Sequence, residues 1–65
     1  MKPLYEKYEA LRDEEGVLDS HVASESGVEQ PTLIAWRNGD YSPKVDKIMK
    51  IANYFKVPLD YFYTE

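Results

Sequence analysis

Gln30, Ile34 and Arg37 are spaced at i, i+4 and i+7, which places them on one stripe of a helix. A glutamine amide donates and accepts hydrogen bonds at once, as the edge of an adenine requires. An arginine guanidinium pairs with a phosphate or with a guanine. These groups can act together only on a helix that is anchored by its opposite face, so other elements of the chain must supply that anchor.

Catalytic and metal chemistry have no comparable set of residues. The chain has no cysteine and one histidine, His21, which excludes thiolate and His-rich metal sites. Ser20 adjoins His21 along a helix rather than facing it, and Glu14 and Glu15 form a solvated pair near a helix end. No glycine-rich phosphate loop is present. We therefore predict no enzyme, no cofactor and no metal, and little room for a small-molecule pocket.

Length and charge restrict the class of protein further. Sixty-five residues make at most one small domain. No apolar run approaches the ~20 residues that span a bilayer, and no signal peptide is evident, so we expect no membrane partner. Eight Lys and Arg against twelve Asp and Glu give a net charge of −4. This balance argues against indiscriminate binding of polyanions, but selective binding depends on where the positive charge lies.

The apolar periodicity predicts five short helices and no strand, hence a compact all-α domain. The first three helices and the fifth are predicted over residues 3–15, 19–26, 30–38 and 59–63. Pro3 suits the first turn of the first helix, and Asp19 is the N-cap of the second or an acid in its first turn. The fourth helix is predicted to begin with Ser42 as its cap and Pro43 as its first residue. The predicted inward positions are Leu4, Tyr8, Leu11, Val22, Ala23, Leu33, Trp36, Val45, Ile48, Ile51, Ala52, Phe55, Leu59 and Phe62.

Four residues have the types and spacing of two helices that cross over a tight turn. Counted from Asp19, the small Ala23 would lie at the crossing and Gly27 would take positive φ in the turn. Leu33 and Trp36 would anchor the second helix. Trp36 could instead stack on a base, but its place on the inward stripe favours the core.

With these residues the chain resembles the Cro/C1-repressor (XRE) family of helix-turn-helix regulators, in particular short regulators of Gram-positive bacteria and their prophages. The matching segments are residues 11–16, 22–28, 32–39, 42–44, 48–55 and 57–62. The resemblance implies a five-helix, lambda-repressor-like domain over residues 1–65, with the motif at about 19–38. It also implies a cytoplasmic, nucleoid-associated repressor that binds duplex DNA, as a homodimer on a palindromic operator.

The resemblance implies two sets of DNA contacts by their position in the motif. The base-reading set is Gln30, Pro31, Thr32, Ile34 and Ala35. The phosphate and backbone set is Ser20, His21, Arg37, Asn38, Tyr41 and Lys44. Ile34 and Ala35 suit a thymine methyl and an apolar protein interface equally well. His21 is either a phosphate contact or an ordinary exposed histidine.

Three positions depart from the pattern of the family that the chain resembles, and the first is Leu18, which stands at a cap position where members often carry Ser or Thr. Asp19 stands where members usually carry a glutamine that helps to hold a phosphate, and a free carboxylate there would repel one. Arg37 stands where many members carry a glutamate paired with the arginine matched by Arg12, so that pair cannot form here. Residues 16–44 contain four acids and two bases, which gives this segment a net charge of −2.

These departures keep a second hypothesis open, a protein-interaction module that retains the fold without binding DNA. It rests on the negative charge, on Asp19 and on the apolar Ile34 and Ala35. The C-terminal aromatic residues either close the core or form a dimer surface; they are Tyr54, Tyr61, Phe62 and Tyr63. The chain itself is either a complete small regulator or the DNA-binding part of a longer repressor.

Overall fold

Four α-helices and a short 3₁₀ helix form the protein in a computed structural model that describes residues 2–65. They are α1 (Tyr5–Glu15), α2 (Asp19–Ser26), α3 (Gln30–Asn38), α4 (Val45–Phe55) and the 3₁₀ helix Leu59–Tyr63. The described residues include no strand, which confirms the predicted all-α class. The bounds of α2, α3 and the 3₁₀ helix are those that the sequence predicts. The longest of these helices have 11 residues, so none in the described part of the chain can span a membrane.

One buried cluster joins all five elements. Its members are Tyr8, Val22, Val28, Leu33, Trp36, Ile48, Ile51, Ala52 and Phe62. Ile48, Ile51 and Ala52 repeat at i, i+3 and i+4, so they form the buried face of α4. This helix packs against α2 and against the 3₁₀ helix, which in turn packs against α1. The C-terminal Phe62 thereby closes the core from the side of α1, as its spacing predicts.

The first helix begins later than the sequence predicts. It starts at Tyr5 with Leu4 as its N-cap, so the expectation that Pro3 lies in the first turn is wrong. The backbone N–H of Leu4 donates a 2.7 Å hydrogen bond to the carbonyl of Phe62. This long-range bond holds Leu4 in an extended conformation, and Pro3 is buried just outside the helix.

The start of the fourth helix was also predicted wrongly. Lys44 is its N-cap and Ser42 makes no capping hydrogen bond, so Pro43 precedes the helix instead of opening it. Pro43 is buried, and Lys44 after it is still extended, with φ −75° and ψ 167°. Val45 is then the first residue of α4 and is 55% exposed, contrary to its predicted place in the core. The buried face of the helix begins one turn later, at Ile48.

The contrast between Val45 and Ile48 gives a matched test of this packing. We expect Ile48→Val to lower the free energy of unfolding by about 0.5–1.5 kcal/mol, because it leaves a methyl-sized cavity in the core. Val45→Ala, on the same helix, should change it by less than about 0.5 kcal/mol. Urea unfolding followed by the fluorescence of Trp36 measures both. A larger loss for Val45→Ala than for Ile48→Val would contradict the placement of α4.

Candidate nucleic-acid interface

The turn between α2 and α3 is closed by two local hydrogen bonds. Gly27 has φ +86° and donates its N–H to the carbonyl of Ala23 at 3.1 Å. A glycine adopts this left-handed conformation without the penalty of a Cβ. Val28 donates its N–H to Ser26 Oγ at 3.2 Å and buries its side chain completely. Sequence reasoning did not assign roles to Ser26 and Val28, although a single apolar residue between a glycine and an acid was an available signal for an anchored turn.

The inner face of α3 is anchored by Leu33 and Trp36, both buried. The Trp36 ring lies 5.4 Å from the ring of Tyr5, edge to face, and 5.5 Å from that of Tyr8. Aromatic pairs in such geometries stabilise by more than their buried area alone. Trp36 therefore attaches α3 to α1 and is not exposed for stacking on a base.

The outer face of α3 carries most of the predicted contact residues, with unequal exposure. Gln30, Pro31, Arg37 and Asn38 are exposed, whereas Thr32, Ile34 and Ala35 are half-buried. In the predicted stripe, Gln30 and Arg37 are thus accessible to a ligand, whereas Ile34 is only partly accessible. Glu29 is the N-cap of α3 and is also exposed, so an acid stands at the entry to this helix.

The predicted backbone contacts come from two further segments. Ser20 and His21 are exposed in the first turn of α2. Tyr41 and Lys44 are exposed in the segment between α3 and α4. The ring of His21 lies 6.3 Å from that of Tyr54 on α4, edge to face, a neighbour that the sequence did not indicate. A phosphate at the start of α2 would also meet the backbone N–H groups that a helix leaves free.

Asp19 is held by two residues of α1. Tyr8 Oη donates a 2.6 Å hydrogen bond to Asp19 Oδ1, and Arg12 Nη1 donates to the same oxygen at 3.0 Å. The N-cap of α2 is Leu18, so Asp19 lies in the first turn, the second of its two predicted placements. Its side chain is only 12% exposed. The sequence did not indicate this contact; it showed only that a buried tyrosine hydroxyl at position 8 needs some acceptor.

The charge states of this cluster follow from its geometry. Burial raises the pKa of the Asp19 carboxyl, but the hydrogen bonds from Tyr8 and Arg12 and the charges of Arg12 and Arg37 outweigh it. The pKa therefore lies below its ordinary value of 3.8. Burial and the hydrogen bond to Asp19 raise the pKa of Tyr8, and the same carboxylate raises the pKa of Arg12. At neutral pH the cluster is a hydrogen-bonded ion pair with a neutral phenol.

A shallow cleft lies beside α3. It has a volume of about 430 Å³ and is lined by residues 2–6, Trp36 and residues 39–42. It is open to solvent, unlike the enclosed small-molecule pocket for which the sequence predicts little room. The segments before α1 and before α4 supply most of its lining residues.

Residues 9–62 match the helix-turn-helix family model HTH_3. The chain belongs to the Cro/C1-type (XRE) helix-turn-helix family. The matched range includes α2, the turn and α3 entirely, and most of the other elements. The family is one of DNA-binding regulators and not of enzymes. No curated protein and no solved structure matches the chain.

In this helix-turn-helix protein, Asp19 is the acidic partner of Arg12, a role that Arg37 cannot take because it is itself positively charged. The two arginines cannot pair with each other, and Arg12 instead binds the carboxylate at the start of α2. Arg37 is exposed at the end of α3, and its positive charge helps to lower the pKa of the same carboxyl group. Asp19 thereby supplies Arg12 with a negative charge that Arg37 cannot supply.

The lowered pKa of Asp19 makes the stability of the fold depend on pH. A carboxyl with a lower pKa in the folded state contributes stability above its unfolded pKa of 3.8, and this is lost as pH falls through the folded pKa. We expect wild-type protein to lose more stability than Asp19→Asn below about pH 4. Urea unfolding at a series of pH values measures the difference. Parallel curves for the two proteins would contradict the ion pair.

Proposed function

We propose that this protein binds double-stranded DNA in a sequence-specific manner, with α3 in the major groove, and represses transcription. The supporting observation is that Leu33 and Trp36 anchor α3 by one face while Gln30 and Arg37 are exposed on the helix. A helix held in this way presents its N-terminal residues to base edges. Membership of a family of DNA-binding regulators supports the same function.

Base readout is assigned to the first half of α3. Gln30 is its first residue and is exposed, so its amide can form two hydrogen bonds with an adenine. Ile34 and Ala35 are half-buried and offer apolar contact to a thymine methyl. Pro31 and Thr32 complete the base-facing surface in this proposal. Specificity would therefore come chiefly from one amide, with apolar contacts around it.

Phosphate contacts are assigned to the flanking segments. The residues proposed are Ser20, His21, Arg37, Asn38, Tyr41 and Lys44. Arg37 and Lys44 carry the positive charge of this surface, and both are exposed. The same part of the chain also carries three exposed acids, Glu25, Glu29 and Asp40. Such a balance favours weak binding to most sequences, because affinity for any DNA depends on the number of phosphates neutralised.

A homodimer on a palindromic operator would complete the proposal, with one helix-turn-helix domain in each chain. Two copies of α3 would then enter successive major grooves about 34 Å apart. Tyr54, Tyr61 and Tyr63 are half-buried while Phe62 is fully buried. The three tyrosines thus offer aromatic surface for a dimer, whereas Phe62 belongs to the core.

The alternative of a protein-interaction module has less support from the surface. It rests partly on the apolar Ile34 and Ala35, whose partial burial limits contact with a protein and with a thymine methyl alike. The Asp19 carboxylate, its second basis, is occupied by Tyr8 and Arg12, so the net charge of −4 is the basis that remains intact.

Selection from random duplex DNA tests the proposed function directly. We expect enrichment of a palindrome whose affinity falls steeply between about 50 and 200 mM salt, because phosphate contacts release counterions. Fluorescence anisotropy measures the affinity. Protein that is folded by circular dichroism yet binds no duplex at the lower salt would contradict DNA binding and favour the interaction module.

Substitution of Gln30 separates base readout from phosphate binding. We expect Gln30→Ala to lose about 1–3 kcal/mol of discrimination at one base pair of the selected site. Lys44→Ala is the matched control, and it should weaken binding to every sequence alike and reduce the salt slope by about one. Binding to a panel of single-base variants of the site measures both. A uniform loss at all variants for Gln30→Ala would contradict its assignment as a reader.

A further inference from the structure

The start of α2 carries a negative charge where the proposed function places a phosphate. Asp19 is the first residue of the helix and directly precedes Ser20 and His21, two of the proposed backbone contacts. Both hydrogen-bond donors to its carboxylate, Tyr8 and Arg12, lie on α1. The carboxylate is therefore a fixed part of the structure at the edge of the proposed interface.

Arg12 is enclosed by acids at this junction. Its guanidinium lies 3.0 Å from Asp19, 3.3 Å from Asp13 and 4.0 Å from Glu9, and its side chain is 18% exposed. Asp13 and Glu9 are much more exposed than Asp19, so solvent screens their charges more strongly. Asp19 is thus the principal partner that cancels the charge of Arg12 beside the start of α2.

We propose that Asp19 limits the affinity of this protein for DNA of any sequence, because it holds Arg12 on the protein and withholds that cation from the phosphate backbone. Asp19 is in this respect a positioning residue, since it acts through Arg12. The inference rests on the proposed function of DNA binding. Its consequence is that occupancy of non-operator DNA stays low and that base contacts from α3 decide where the protein remains bound.

This role can be separated from a purely structural one, because the two predict opposite changes in DNA affinity when Asp19 is replaced. If Asp19 only attached α2 to α1, its removal would loosen the motif and weaken DNA binding. If it withholds a cation, its removal leaves Arg12 with only the exposed Asp13 and Glu9 as acidic partners beside the start of α2, and binding becomes tighter. Tyr8→Phe removes a hydrogen bond from the same carboxylate without changing any charge, so it reports the structural contribution alone.

The test compares wild type, Asp19→Asn, Tyr8→Phe, Arg12→Gln and the double variant Arg12→Gln/Asp19→Asn. Fluorescence anisotropy is measured with the selected duplex and with a scrambled duplex of the same length. Circular dichroism establishes that each variant is folded at the assay temperature. The measurements are made at about 50 and 200 mM salt, where a change in phosphate contacts alters the salt slope.

We expect Asp19→Asn to bind both duplexes about 3- to 10-fold more tightly at the lower salt, with a salt slope steeper by up to about 0.9. The double variant should return to wild-type affinity, because the cation has been removed with its partner. Arg12→Gln alone should bind both duplexes more weakly, since it leaves the carboxylate uncompensated. Tyr8→Phe should be less stable to urea but unchanged in salt slope.

Asp19→Asn that is folded and binds no more tightly than wild type would overturn the inference and leave the proposed function in place. Should Asp19→Asn not fold, Arg12→Gln is compared with Tyr8→Phe, the structural control: binding to both duplexes that is weaker for Arg12→Gln than for Tyr8→Phe supports the inference, and equal binding of the two variants overturns it. Wild-type protein that binds neither duplex at the lower salt would overturn the proposed function and the inference together.

Discussion

The contacts among the helices of this protein depend on the buried hydroxyl of Tyr8 and on its need for a hydrogen-bond acceptor. A buried phenol needs an acceptor, and the acceptor here is the carboxylate of Asp19 at 2.6 Å. That carboxylate in turn needs a positive charge, which Arg12 supplies from one turn further along α1. The Tyr8 ring meanwhile packs against Trp36 on α3 and Phe55 on α4. One side chain on α1 thereby contacts each of the other three α-helices.

This arrangement explains how a domain without side-chain N-caps can hold its motif in place. None of the described helices has a capping side-chain hydrogen bond at its N-terminus. The start of α2 is fixed by the contacts of Asp19 with α1, and α3 is fixed by Leu33 and Trp36. Charge-assisted hydrogen bonds are stronger than neutral ones. The contacts of Asp19 can therefore hold the N-terminus of α2 in place, as a side-chain N-cap does in other helices. The same contacts occupy the carboxylate that would otherwise face a phosphate freely.

Helix boundaries were predictable where local chemistry decided them. Gly27 and Gly39 end α2 and α3 in the left-handed conformation, and the three-residue loop after α2 leaves little freedom in where α3 begins. The predictions failed at Pro3 and Pro43, whose sequence contexts suit a helix start. Both prolines are buried, and at Leu4 a backbone hydrogen bond to Phe62 competes with the helix. A contact between residues 58 positions apart has no signature in the local sequence.

The amino-acid sequence by itself determined the class of fold, the spacing of the helix-turn-helix and the family, because apolar periodicity and turn residues act over a few positions. It also indicated the anchoring side of α3, since Leu33 and Trp36 share one stripe. Tertiary structure alone decided the partners of Asp19 and the partial burial of Ile34 and Ala35. Residues 8, 12 and 19 meet only after α1 and α2 have packed, because a charge finds its partner through space and not along the chain.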